Sequence, residues 1–274
     1  MTTKQCHANK KTAIIFGGRS PIALSCVEFL ATSQRVILVS RRADAELTDF
    51  LKQFPAVSLV TADLQKSGDG ARVIEMAYSS HHHITSIAFF QRYRAALENN
   101  FNHHMAVEIW SINEVLDAVR TFKPSDARIQ VLVSSSPAAS RVVIDQDLNY
   151  HIVKSGQEAI VRYQAVALAR HNISINAVRI GSVVIKQRAL NYWNSIPETL
   201  DTLRSLTPSQ KVPTSELVGE TFAKILMADI HGITGQIFTA DEGFDLRDSI
   251  QMVKEVCSNN EIAMLSGSKT HLKV

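Results

Sequence analysis

Seven short runs rich in β-branched residues, with amphipathic stretches between them, limit the fold more than any other feature of this chain. They are TAIIF (12–16), RVILV (35–39), VSLVT (57–61), ITSIAFF (84–90), RIQVLVS (128–134), ISINAVRI (173–180) and GQIFTA (235–240). Most are apolar throughout instead of alternating, the pattern of strands covered on both faces in a parallel sheet. Helical patterning lies between them, notably at 95–121, 147–170 and 214–229. Strand alternating with helix predicts right-handed βαβ units. The fold class is therefore α/β, a single domain whose doubly wound, parallel, seven-stranded sheet carries helices on both faces. A length of 274 residues suits one such domain, and 45% hydrophobic content is enough for its core.

No internal repeat and no linker divides the chain. The expected layout is a flexible N-terminus over 1–10, the α/β domain over 11–247 and a C-terminal extension over 248–274, a weak helix with a polar end. Residues 182–213 break the rhythm, with Tyr192, Trp193 and Pro197 among polar residues. An insertion of that length in an α/β domain reads as a substrate lid. The 29 basic and 26 acidic residues are interspersed and leave a net charge of +3, too balanced to indicate nucleic-acid binding. Cys6, Cys26 and Cys257 are far apart and form no CxxC, which fits a reducing compartment. The polar start, MTTKQCHANKK, lacks the apolar centre of a signal peptide. No apolar run is long enough to span a membrane. The expected location is cytoplasmic.

The stretch FGGRSPIA (Phe16–Ala23) stands between the first strand and the first helix, where a dinucleotide loop would be. Such a loop carries three glycines, for the tight turn, for close approach to a pyrophosphate and for helix–strand packing. Here Gly17 serves the first purpose and Ala23 takes the third position. Ser20-Pro21 reads as a helix start, since serine favours the N-cap and proline the first helical position. Proline removes one N–H donor, for which the Ser20 hydroxyl and the Ile22 N–H could compensate. The loop alone is a weak signal, because an ordinary strand-to-helix turn looks much the same. The second strand adds to it by ending in Ser40, Arg41 and Arg42. An acidic residue there would bind an NAD ribose, whereas basic residues accommodate a 2′-phosphate. The cofactor indicated is NADP(H), with Arg19 a helper.

Residues 147–158, DLNYHIVKSGQE, place Tyr150 and Lys154 on one helical face. A free phenol has a pKa of about 10, and an ammonium held alongside stabilises the phenolate. A phenol so placed can protonate a carbonyl oxygen or deprotonate an alcohol.

Together these residues resemble the short-chain dehydrogenase/reductase family, defined by a YxxxK pair in a single Rossmann domain. The order of features matches over residues 11 to about 247. The glycine turn and the basic strand end are followed by Asp63-Leu64, where the family contacts adenine, then by Ser134-Ser135-Ser136 and Tyr150-Lys154. NISINAVRIGSV (172–183) resembles the family's I-x-V-N-x-V-x-P-G, and GQIFTADEGF (235–244) its closing G-Q-x-x-x-V-D-G-G. The resemblance implies Tyr150 as general acid/base and Lys154 as the group that holds the nicotinamide ribose and tunes the tyrosine. It implies a serine on the substrate oxygen; Ser135 aligns best, with its two neighbours close behind. Gly181 falls in the cofactor-binding motif, and Asn176 is a structural part of its strand. Enoyl reductases of the superfamily space tyrosine and lysine further apart, and the matching position here is Asp147. Carbonyl or alcohol substrates follow from that spacing.

The chain departs from the family in its supporting residues. N-N-A-G after the fourth strand is replaced by Phe89-Phe90-Gln91-Arg92. The family's catalytic asparagine maps to about Glu108, with Asn102 and Asn113 nearby; a glutamate there would pair with Lys154 or accept a proton. The P-G step is Ile180-Gly181, without an evident carboxamide-binding threonine after it. His81-His82-His83 and His103-His104 read as solvated surface, and no metal is expected. Lys186, Arg188, Tyr192, Trp193 and Arg204 would suit an anionic or sugar-like substrate, or would simply pack an exposed loop. The helices at 95–121 and 147–170 match the pair the family uses for assembly, so the resemblance implies a homodimer or homotetramer. Two other readings stand beside the reductase: a non-catalytic NADP-binding sensor, and an epimerase or dehydratase that retains its cofactor.

Overall fold

The computed structural model describes residues 11–94, 100–181, 190–228 and 230–265. Residues 1–10, part of the helical stretch at 95–99, Lys186 and Arg188 of the expected lid, and the polar end after 265 lie outside the described residues. The seven strands are β1 (Lys11–Phe16), β2 (Arg35–Ser40), β3 (Val57–Thr61), β4 (His83–Phe89), β5 (Ile129–Ser135), β6 (Ile173–Ile180) and β7 (Ile237–Ala240). All neighbours pair in parallel, in the order β3-β2-β1-β4-β5-β6-β7. The order reverses between β1 and β4, and the crevice outside the strand ends at such a switch point is where α/β sheets bind ligands.

Alternate side chains of the central strands enter two apolar cores, one on each face of the sheet. Ile14, Phe16, Val131 and Val133 face one, and Ala13, Ile15, Leu132 and Val178 the other. The first core is covered by α3 (Asp69–Ser79), by a helix that runs from α4 (Phe101–Met105) into α5 (Ser111–Phe122), and by α6 (Leu148–Leu168). The second is covered by α1 (Pro21–Ala31) and α9 (Ser215–Met227). The family's asparagines after β4 have given way to aromatic packing: Phe89 stacks on Phe16 at 5.2 Å and Phe90 on Phe222 at 4.5 Å. Apolar contact packs the centre of the sheet here, while the Oε1 of the adjoining, buried Gln91 has no hydrogen-bond partner among the described residues.

Between α4 and α5 the helix widens into a π turn, Ala106–Trp110. The Glu108 carbonyl accepts from Gln157 Nε2 of α6 at 3.0 Å, and the Ser111 hydroxyl donates to the Val107 carbonyl. Such bulges frequently mark functional positions. Residues 190–206 form α7 (Leu190–Ser195) and α8 (Pro197–Leu206), and α10 (Ser249–Leu265) follows β7. Glu255 of α10 pairs with Arg247 at 2.5 Å. No helix among the described residues is long and apolar enough to cross a membrane.

Candidate active site

A cleft of about 950 Å³ runs along the C-terminal ends of β1, β2, β4 and β5. At one end lie Gly17–Ile22, Ser40–Arg42 and Asp63-Leu64; at the other lie Ser134–Ser136, Tyr150, Lys154, Tyr192 and Trp193. The residues singled out in the sequence therefore line one continuous depression, and Glu108 stands directly behind it.

The first end of the cleft is built from the β1–α1 turn. Gly17 has φ +90°, and a Cβ there would fall 2.4 Å from the Gln91 nitrogen, so only glycine fits. The helix start predicted from Ser20-Pro21 is present, but Ser20 makes no side-chain cap bond. Its hydroxyl and the first-turn N–H of Ile22 are thus available to an anion at the helix N-terminus. Arg41 and Arg42 are exposed. Arg19 is paired with Asp44, which in turn caps α2 (Ala45–Leu51) by accepting from Leu47 N. Ser40 donates its hydroxyl to the Arg42 carbonyl at 3.0 Å and shapes the strand end. The Asp63 carboxylate accepts from Gln65 N, and the Asp63 N–H donates to Asp69 at 2.8 Å. That bond is the largest influence on Asp69 and holds its carboxyl below the usual aspartate range. Turn, helix start and basic strand end together offer anion donors, close backbone approach and exposed cations.

Helix α6 carries Tyr150 and Lys154. Asp147 caps it by accepting from Tyr150 N at 2.8 Å, which sets the first turn and the direction of Tyr150. The Arg92 guanidinium lies 4.0 Å above the Tyr150 ring and donates to Gln146. Four residues further along the helix, Lys154 is 4% exposed. Its ammonium donates to the Ser134 carbonyl at 3.2 Å and to Gln157 Oε1 at 2.9 Å, and lies 5.5 Å from the Tyr150 ring centre.

Glu108 is fully buried, its Oε2 3.6 Å from Lys154 Nζ. Its Oε1 accepts from Tyr93 N and from His104 Nδ1, each at 3.1 Å. Of the two nearby asparagines, Asn113 accepts from Gln164 and Asn102 is exposed. The expectation that His103-His104 is solvated surface is corrected for His104: it is 3% exposed and bonded to Glu108. The i,i+4 spacing of His104 and Glu108 on a helix was the available signal.

Ser135 also differs from its expected role. Its side chain leaves β5 on the α6 face and donates to Glu158 Oε1 at 2.8 Å, and Glu158 is held by a bidentate pair with Arg179 of β6. Strand alternation puts Ser134 and Ser136 on the opposite side from Ser135. Ser136 accepts from Ala138 N, so its own hydroxyl proton remains available. The Ser135–Glu158–Arg179 cluster was not anticipated, and it pins α6 to β5 and β6. Near Gly181 the fit is tight, since a Cβ would meet the Asp241 side chain at 2.8 Å. Asn176 has the structural role expected of it, bridging Ile233 and Gln236. Arg204 pairs with Asp201 on its own helix, whereas Tyr192 and Trp193 do line the cleft.

The chain is similar to several known proteins. A family model described as Enoyl-(Acyl carrier protein) reductase matches residues 18–245. The chain is 23% identical over 241 residues to an L-xylulose reductase of Bos taurus, covering 85% of this chain and 96% of that protein. An NADH enoyl-[acyl-carrier-protein] reductase of Buchnera aphidicola is 32% identical over 133 residues, which is 48% of this chain and 50% of the relative. Among solved structures, a 3-oxoacyl-[acyl-carrier protein] reductase from Brucella melitensis in complex with NAD superposes with a TM-score of 0.72 at 19% identity, covering 88% of this chain and 99% of that one. ElxO with NADP bound gives a TM-score of 0.72 at 18% identity, covering 87% of this chain and 100% of its own.

Proposed function

The chain belongs to the short-chain dehydrogenase/reductase family of oxidoreductases, and from that premise we propose that it is an NADP(H)-dependent reductase of carbonyl compounds. Run in reverse it is an alcohol dehydrogenase. The observation that carries the reading is the convergence of Tyr150, a buried Lys154 and serine hydroxyls at the end of the same cleft that holds the α1 N-terminus. The bound cofactor would supply the hydride. The Ile22 N–H, the Ser20 hydroxyl and Arg19 would hold its phosphates, Arg41 and Arg42 its 2′-phosphate, and Asp63-Leu64 would border the adenine.

In this reading the substrate carbonyl oxygen rests between the Tyr150 hydroxyl and a serine, with Ser134 or Ser136 in place of Ser135. Tyr150 donates the proton, and the oxygen's developing charge is met by the two hydroxyls. Lys154 is held by Gln157 and the Ser134 carbonyl, with its amine 5.5 Å from the Tyr150 ring centre. Tyr192 and Trp193 cover the substrate end. The exposed Trp110 at the end of the π turn and the exposed Tyr163 and Val166 on α6 support assembly into a homodimer or homotetramer through those helices.

The family model and the Buchnera relative favour a second reading, reduction of an enoyl thioester. Asp147 opposes it: the position the wider-spaced tyrosine would occupy is the N-cap of α6. The test is a fluorescence titration with NADPH and NADH, followed by NADPH oxidation with a 3-oxoacyl thioester, an enoyl thioester, a ketose and an aromatic quinone. Preference for NADPH and reduction of a carbonyl substrate, lost in Tyr150→Phe with NADPH binding retained, is the expected result. Reduction of the enoyl thioester alone, or turnover unchanged in Tyr150→Phe, would overturn it.

A further inference from the structure

We infer that Arg92 selects the substrate by receiving an anionic group beside the reacting carbonyl. The site would then take an oxo acid, its carboxylate one or two carbons from the carbonyl, in preference to a neutral ketone. The inference rests on the reductase reading and names its substrate class. Arg92 stands just beyond β4, exposed in the cleft that Tyr150 also lines. It ends the stretch Phe89-Phe90-Gln91-Arg92 in which the chain departs from the family pattern.

Two contacts fix its head. The guanidinium lies 4.0 Å from the Tyr150 ring centre, where a cation is attracted to the aromatic face. Its Nη2 donates to Gln146 Oε1 at 2.7 Å. A guanidinium is a planar fork with several N–H donors, so this one is held within a ring-width of the Tyr150 hydroxyl with donors to spare. Such a fork matches a carboxylate through two parallel bonds. Among the described residues no carboxylate pairs with it; its partners are that ring and that amide. Of the other charged groups lining this end, Lys154 is paired with Glu108, and Arg94 and Asp145 are one of each sign.

In the reductase reading the cofactor's phosphates belong to the α1 N-terminus and the end of β2. The nicotinamide end presented to Tyr150 carries no phosphate, so the anion that Arg92 suits comes with the substrate. With the carbonyl oxygen at the Tyr150 hydroxyl, a reach of one ring-width fits a carboxylate one or two carbons away. Val143, Tyr192 and Trp193 line the same end and suit an apolar remainder. The reaction balances: a hydride from NADPH and a proton from Tyr150 turn the carbonyl into a hydroxyl, and the carboxylate is unchanged.

The test follows NADPH oxidation by the full-length chain with benzoylformate and acetoacetate, each against its methyl ester, and with 9,10-phenanthrenequinone. Each ester keeps the carbonyl and loses the charge. Binding of the two acids to the protein with NADP⁺ is measured by calorimetry. The wild type is expected to favour an acid over its ester at least about tenfold in kcat/KM, mainly through KM. Arg92→Gln should lower that ratio about tenfold or more, and Arg92→Lys, which keeps the charge without the fork, should fall between. If Arg92→Gln does not fold, as judged by its circular dichroism melt, the ratio in Arg92→Lys decides. No preference for either acid, or a ratio unchanged by the substitution, overturns the inference and leaves the reductase standing. So does reduction of the quinone with neither turnover nor binding of the acids. Arg92-dependent binding of an acid without reduction of any carbonyl compound overturns the reductase and keeps the anion site. No NADPH binding overturns both.

Discussion

Glu108 Oε2 lies 3.6 Å from Lys154 Nζ, with the two side chains 0% and 5% exposed. The two groups pair in the interior, and each depends on the other for its place there. Removing one member of such a pair leaves the other uncompensated, at a cost of about 3 kcal/mol or more. Glu108→Gln is therefore expected to lower the urea midpoint strongly, and Glu108→Gln with Lys154→Met to recover much of the loss while remaining inactive. A single Glu108→Gln as stable as the wild type would mean that the pair does not support Lys154.

The serines separate by which face of β5 they occupy. Ser135→Ala removes one bond to Glu158, which keeps its bidentate contact with Arg179. The expected cost is about 1 kcal/mol of stability, with turnover close to wild type. The hundredfold loss expected of a missing hydroxyl donor at the reacting oxygen should fall on Ser134→Ala or Ser136→Ala. Steady-state rates for the three variants decide the assignment.

Arg41 and Arg42 are exposed at the end of β2 without an acidic partner among the described residues. Charge-assisted bonds to a 2′-phosphate contribute about 1.5–3 kcal/mol each. Arg41→Ala with Arg42→Ala should thus weaken NADPH at least about tenfold and leave NADH affinity unchanged. Equal losses for both cofactors would show that the arginines do not read the 2′-phosphate.

Asp69 anchors the Asp63 backbone, and that hydrogen bond lowers its pKa in the folded chain. The folded state then binds fewer protons than the unfolded state, so stability rises with pH across the interval between the two values. Its contribution is complete above the ordinary aspartate range and disappears as pH falls through the lowered value. Wild type should be more stable than Asp69→Asn at pH 6, with the difference shrinking at about pH 3, below the ordinary aspartate value. Urea midpoints at the two pH values measure it.

The sheet was legible because its strands are buried on both faces and their β-branched runs need no tertiary context to be recognised. β3 and β6 occupy the residues read from sequence, Val57–Thr61 and Ile173–Ile180. Gly17, the Ser20-Pro21 helix start and the Tyr150/Lys154 pair were legible for a related reason, since turn geometry, helix capping and i,i+4 spacing are local. The glycine turn and the Tyr150/Lys154 pair could thus be picked out in advance as candidates, and both border one cleft.

The sequence by itself thus determined the fold and the positions of the local motifs. Only the tertiary structure decided which side chains meet across elements. Ser135 turned to Glu158 because alternation along β5 aims it at α6, where Arg179 holds that carboxylate. His104 became part of the site because a π turn carries Glu108 inward, between α6 and the segment after β4. Contacts of this kind join residues far apart in the chain, and their energetics depend on burial and on the pairing of charges, neither of which a linear spacing records.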